Sequence, residues 1–225
     1  MIPIHSRRAV IFDMDGTLID SEIHTEEAVQ ALLKEHQLDG AGLDCTRFYG
    51  ITWRAISEML ISGFPALQGH CTPEKLQRLF FQIGQETPAP LIAGAKEALV
   101  QANALMPTAI GTSGNRESVE ELLTRFQLRE TLTDYVCAED YTRSKPDPEC
   151  YLLAADRLGV PPNACLVFED SIPGLRAAKA ARMQTVAITH RSADKKLAQE
   201  LADHAVAHYQ LLPPNFFEAI SAPRE

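Results

Sequence analysis

The sequence predicts an α/β fold in which a helical domain interrupts a parallel sheet. Six short apolar runs rich in β-branched residues are separated by amphipathic helical stretches. The runs are continuously apolar instead of alternating, which is how strands covered on both faces read. After the first of them, roughly seventy residues carry helical periodicity alone.

Each element follows from its residues. Ala9-Val10-Ile11-Phe12 stops at Asp13 and reads as a buried strand. Ala28, Leu32 and Leu33 then mark one helix, Ile56, Met59 and Leu60 a second, and Leu76, Leu79, Phe80 and Ile83 a third. Turn-forming groups at 39–42, 63–65 and 87–90 separate them. Further strands are expected at 108–110, 135–137, 165–168, 185–188 and 205–207. Between them, 117–126 places Val119, Leu122, Leu123 and Phe126 on one helical face, and 149–158 does so with Leu152, Ala155 and Leu158. Residues 175–181 form a small-residue helix suited to close packing on a sheet. The expected division is a Rossmann-like core of 1–20 and 91–225 and a helical insertion of 21–90. Two crossings, near Ser21 and Pro90, suit either a hinged lid or a rigidly packed insertion.

Composition narrows the function. Among 225 residues, 21 Lys and Arg face 30 Asp and Glu, for a formal net charge of −9. Hydrophobic residues are 45% and charged residues 23%, which excludes a disordered or fibrous chain. The acidic balance argues against nucleic-acid partners, which demand Lys/Arg stripes. The five cysteines are odd in number, widely spaced and without a C-x-x-C pair, so a reducing compartment is expected. Cys165 reads as a small core hydrophobe. The apolar run after Arg7 and Arg8 is too short for a signal peptide, and no stretch is long enough to cross a membrane. A soluble cytoplasmic monomer is the expectation.

In open α/β sheets the working residues follow the carboxyl ends of strands. Asp13-Met14-Asp15-Gly16-Thr17 follows the first run, Thr112-Ser113-Gly114-Asn115-Arg116 the second and Glu169-Asp170-Ser171 the fourth. Ser144-Lys145-Pro146-Asp147-Pro148 precedes the 149–158 helix. Together these supply carboxylates, an ammonium, a hydroxyl and a helix N-terminus, a set suited to phosphoryl transfer. A carboxylate attacking a phosphate ester meets repulsion, which a divalent cation and Lys145 would offset. Asp13 and Asp170 are hard oxygen ligands of the kind Mg²⁺ prefers. Thr112, the Ser113 amide and the helix starting near Asn115 suggest an anion-binding nest. Asp15 is placed to act as acid and then base. Taken alone, Glu169-Asp170 also fits a helix cap, and Asp147 and Pro148 fit a helix start. Asp20 reads as a hinge hydrogen-bonding residue.

Phe12-Asp13-Met14-Asp15-Gly16-Thr17-Leu18 with Asp20-Ser21-Glu22 resembles the first motif of the haloacid dehalogenase superfamily. Thr112-Ser113-Gly114, Lys145-Pro146-Asp147-Pro148, and Phe168-Glu169-Asp170-Ser171 with Gly174 are similar to its second, third and fourth motifs, in order. The insertion resembles the helical cap of the β-phosphoglucomutase-like phosphatases and mutases. The resemblance implies Asp13 as nucleophile and Asp15 as general acid/base. It implies Mg²⁺ held by Asp13, the Asp15 backbone carbonyl and Asp170, with Glu169 beside them. It also implies Thr112, the Ser113 amide and Lys145 around the transferring phosphoryl group. Gly114 belongs to that turn, and Asn115 and Arg116 stand within reach of substrate.

Specificity is expected from the insertion. His24, Trp53 and Arg54 are its candidates, the last two just after Gly50-Ile51-Thr52. For His24 and Trp53 a packed role within the insertion is equally compatible, whereas Arg54 offers a cation to a charged leaving group. The leading expectation is a Mg²⁺-dependent phosphatase of a small sugar or polyol phosphate. A sugar-phosphate mutase is the alternative, and a non-catalytic binding module a third reading against which the intact Asp13, Asp15, Lys145 and Asp170 speak.

Overall fold

The computed structural model describes residues 6–48, 52–192 and 194–221. Gly50 and Ile51, read from sequence as leading into a helix, lie outside the described residues, as do residues 1–5. The elements in chain order are β1 (Ala9–Phe12), α1 (Glu22–Glu35), α2 (Trp53–Gly63), α3 (Pro73–Glu86) and α4 (Ala95–Leu105). Then come β2 (Thr108–Gly111), α5 (Arg116–Arg125), β3 (Asp134–Val136), α6 (Glu149–Arg157) and β4 (Cys165–Glu169). The chain ends with α7 (Ile172–Ala180), β5 (Gln184–Ile188), α8 (Lys195–Leu201), β6 (His204–Val206) and α9 (Phe216–Ile220).

The strands form one parallel sheet in the order β3-β2-β1-β4-β5-β6, the arrangement of a Rossmann-like fold. β1 is central, pairing Phe12 with Ile110 on one side and Phe168 on the other. Because strand side chains alternate, Val10 and Phe12 enter one apolar cluster with Ile110, Leu166 and Phe168. Ala9 and Ile11 enter the other, with Ala109, Tyr151, Val167 and Ala178. Burial on both faces explains the unbroken apolar runs. The strand order reverses at β1, so the crevice beyond its carboxyl end is where such sheets place ligands.

α4, α8 and α9 have no counterpart in the sequence reading, and α6 packs differently from it. α4 carries no strong hydrophobic stripe; three of its four buried residues, Ala95, Ala98 and Ala102, are alanines, and only Leu99 is large. In α6 the packed face is Cys150, Tyr151, Ala154 and Ala155, while Leu152 is 41% exposed. Of the expected face, Ala155 and Leu158 pack as read and Leu152 does not, the bulk of Tyr151 filling the core beside them. Asp147 does serve the start of α6: its Oδ1 accepts the Glu149 N–H at 3.0 Å.

The chain divides into two compact units, one holding the described residues up to Ile19 and from Leu91 onward, the other Asp20–Pro90. The division puts Asp20 with the helical unit, where its N–H donates to Pro90 O at 2.9 Å. That unit packs α1, α2 and α3 around Val29, Leu32, Leu33, Ile56, Leu60 and Leu76. Thr52 and Thr72 cap α2 and α3 by accepting the Ala55 and Lys75 amides. All five cysteines are free thiols, and Cys165 lies in the core. Among the described residues no helix is long and apolar enough to cross a membrane.

Candidate active site

Beyond β1 the Asp13 N–H donates to Phe168 O at 2.9 Å, so the nucleophile candidate is held by the same pairing that builds the sheet. The chain then turns back, with the Leu18 and Ile19 amides both donating to Met14 O. Gly16 sits at φ +75°, and a Cβ there would collide with the Asp170 carboxylate. Glycine thus serves both the turn and the approach of Asp170. Thr17 Oγ1 donates to Asp170 Oδ1 at 2.8 Å.

Asp13, Glu169 and Asp170 converge, each offering a carboxylate oxygen within 4.8 Å of the others. Ser171 Oγ donates to Glu169 Oε1 at 3.1 Å, and Gly174 leaves the room that a Cβ would take from the same carboxylate. Lys145 reaches in between, its Nζ 2.5 Å from Asp13 Oδ1 and 3.6 Å from Glu169 Oε1. It also donates to Gly111 O at 3.3 Å and lies 4.7 Å from the Tyr151 ring centroid. Burial opposes its charge, but Asp13 and then Glu169 hold the ammonium well above its ordinary range. Burial pushes Glu169 up to about 8, against Lys145, and pushes Asp170 well above the usual carboxylate range with help from Glu169 and Asp13. Buried Asp13 and Glu169 and half-buried Asp170 lie around one ammonium, so ionising all three needs more positive charge than Lys145 supplies. Their all-oxygen donor set fits a hard divalent cation.

The second strand end supplies the anion-facing turn. Thr112 is buried, and its Oγ1 accepts the Gly114 N–H at 2.9 Å, which leaves its own O–H as a donor. A Cβ on Gly114 would meet Met14 Cε at 2.7 Å and come within 3.6 Å of Asp15 Oδ2. Gly114 therefore admits the buried Met14 side chain against this turn, with the exposed Asp15 carboxylate nearby.

The start of α5 differs from the expected nest. Asn115 Oδ1 accepts the Ser118 N–H at 2.8 Å as a helix cap, and Glu139 accepts the Arg116 N–H through both carboxylate oxygens. The Arg116 guanidinium pairs with Asp140 at 2.7 Å and lies 5.5 Å from the Tyr135 ring centroid. Asn115 and Glu139 take the Ser118 and Arg116 amides at this helix end, so the expected nest does not extend into the first turn of α5.

In the helical unit, His24 is buried, with Nε2 2.6 Å from Thr87 O, a contact that requires the Nε2–H, and its ring is edge-on to Phe80. Trp53 packs edge-on to the same Phe80 at 5.3 Å. Arg54 is 82% exposed and pairs with Glu58 at 3.0 Å. Sequence reading missed Tyr141, Tyr151 and Glu139 near the core site. Tyr151 stands at a helix-face spacing, and the other two lie in no motif.

This geometry agrees with what the chain is similar to. The sequence profile of haloacid dehalogenase-like hydrolases matches residues 7–182. The chain belongs to that family. It is 32% identical over 195 residues to the validoxylamine A 7'-phosphate phosphatase of Streptomyces hygroscopicus subsp. limoneus, covering 85% of this chain and 90% of the relative. It is 32% identical over 205 residues to hexitol phosphatase B of Escherichia coli strain K12, covering 87% and 89%. The crystal structure of a conserved haloacid dehalogenase-like protein from Agrobacterium tumefaciens strain C58 superposes with a TM-score of 0.76 at 27% identity, covering 93% of this chain and 97% of that one.

Proposed function

We propose that this hydrolase is a Mg²⁺-dependent phosphatase of small phosphorylated metabolites, of the sugar or polyol phosphate class, working through an aspartyl-phosphate on Asp13. The observation that carries this reading is the buried Asp13 carboxylate, 2.5 Å from Lys145 Nζ within a cluster of three acids at the switch point of the sheet. Asp13, Asp15, Glu169 and Asp170 would hold the cation, which when bound offsets the charge of both the carboxylates and the phosphate ester.

An Asp13 oxygen attacks phosphorus and the bond to the leaving oxygen breaks. Asp15 gives that oxygen its proton, then takes one from the water that attacks the aspartyl-phosphate and frees inorganic phosphate. Thr112, the Ser113 amide and Lys145 receive the phosphoryl oxygens and hold them in line, with Gly114 fixing the turn through its bond to Thr112 Oγ1. The helical insertion, residues 21–90, is proposed as the cap that excludes water in the first step and selects the leaving group. Arg54 is its candidate cation.

The named activities of the two phosphatase relatives support the substrate class. Hydrolysis is favoured over a mutase because a mutase must grip a second phosphate, and Arg54, exposed and paired with Glu58, is the single cation proposed for the insertion. The net charge of −9 supports a small-molecule substrate over nucleic acid, and the five free, widely spaced cysteines suit a cytoplasmic site of action. A panel of sugar and polyol monophosphates, scored by phosphate release with and without Mg²⁺, tests the proposal. Release that needs Mg²⁺ is expected; rapid interconversion of positional isomers with little release would instead identify a mutase.

A further inference from the structure

Tyr141 stands four residues before Lys145, outside every motif. Its Oη lies 3.1 Å from Thr112 O and 3.3 Å from Ser113 Oγ. A phenol has one proton, and a backbone carbonyl can only accept. The phenol O–H therefore goes to Thr112 O, since otherwise two lone-pair-bearing oxygens would face each other at 3.1 Å. The Ser113 hydroxyl is then left as the donor to the phenol oxygen. A relay results, Ser113 to Tyr141 to the Thr112 carbonyl, running along the back of the anion-facing turn. Burial holds the Tyr141 phenol above its ordinary range, so it remains a donor. Among the described residues the Thr112 carbonyl has one other side-chain contact, the Cys150 Sγ at 3.9 Å, a weak thiol bond.

We infer that Tyr141 is a positioning residue for the transferring phosphoryl group: it pins the Thr112 carbonyl and draws the Ser113 hydroxyl proton to itself. This deepens the proposed phosphoryl transfer and rests on that reading. Under it Ser113 serves phosphate through its backbone N–H, and the side-chain donor at the turn is the Thr112 hydroxyl. The Ser113 side chain acts only through Tyr141. Without the phenol the Thr112 carbonyl loses its strong partner, and the turn in which Thr112 Oγ1 accepts the Gly114 N–H is held less firmly.

The test compares Tyr141→Phe, Ser113→Ala and the double variant in two readouts. One is the affinity for inorganic phosphate in Mg²⁺ by calorimetry; the other is kcat and KM for 4-nitrophenyl phosphate. Tyr141→Phe keeps the ring and its packing, and an unchanged thermal midpoint shows that the fold is intact. It should weaken phosphate binding and lower kcat by about tenfold each, the order of one lost hydrogen bond. Ser113→Ala should change either by no more than about threefold, and adding it to Tyr141→Phe should change nothing further. A tenfold loss of phosphate affinity from Ser113→Ala alone would show that its hydroxyl touches phosphate and overturn the inference. So would a Tyr141→Phe protein matching the parent in both readouts. A parent that binds phosphate but releases none from esters refutes the phosphatase reading, while the phosphate affinities still decide the role of Tyr141. A parent that binds no phosphate refutes both.

Discussion

Lys145 Nζ and Asp13 Oδ1 are 2.5 Å apart, and each side chain is 7% exposed. The two residues are separated by 132 positions in sequence and meet because β1 and the loop before α6 end at the same edge of the sheet. Breaking a buried ion pair leaves an uncompensated charge, which typically costs about 3–5 kcal/mol. Lys145→Ala should lose stability of that order, measured by urea unfolding of the metal-free protein at neutral pH. A change below about 1 kcal/mol, the range of exposed pairs, would show that the pair is not buried as described.

The acid cluster sets a pH dependence with a definite sign. Burial raises Glu169 from an ordinary 4.5 to about 8 in the folded protein, with Lys145 opposing and Asp13 adding to the rise. The stability this group contributes is therefore complete below 4.5 and lost as pH climbs toward 8. Metal-free protein should show a falling thermal midpoint between about pH 5 and about pH 8.5. Mg²⁺ bound at the proposed site would take the place of the proton, so its stabilising effect should grow over the same interval. Equal Mg²⁺ stabilisation at both ends of that interval would contradict the assignment of Glu169 to the cation site.

Gly174 stands in the first turn of α7, where a Cβ would overlap the Glu169 carboxylate. Gly174→Ala should cost about 1–3 kcal/mol from overpacking and push Glu169 out of place. The Mg²⁺ concentration needed for half-maximal activity should rise with it. A variant with the thermal midpoint and Mg²⁺ requirement of the parent would show that Glu169 has freedom this packing denies it.

Much of this site was legible in the sequence because strand ends are local signals. Asp13, Thr112 and Glu169 each terminate an apolar run, and a parallel sheet brings such ends to one edge. Gly16 and Gly174 were visible within their motifs, although the carboxylates they admit were not. What stayed hidden depends on neighbours in space. Glu139 takes the Arg116 amide from 23 positions away, a contact made only because β3 lies beside β2. Tyr141 reaches Thr112 across 29 positions for the same reason. Leu152 differs in another way: Ala155 and Leu158 pack as periodicity predicts, but its edge of the stripe faces solvent and Tyr151 packs instead.

The central claim is that Asp13 is a nucleophile and not merely a metal ligand. Asp13→Asn keeps the shape of the side chain but replaces the carboxylate with an amide that cannot form an aspartyl-phosphate. The direct measurement is kcat/KM of this variant for the best phosphomonoester of the panel, at saturating Mg²⁺, beside the parent. The account expects a loss on the order of 10⁴-fold or more, as when the nucleophile of a covalent mechanism is removed. Turnover within about tenfold of the parent, the range of a lost hydrogen bond, would contradict it.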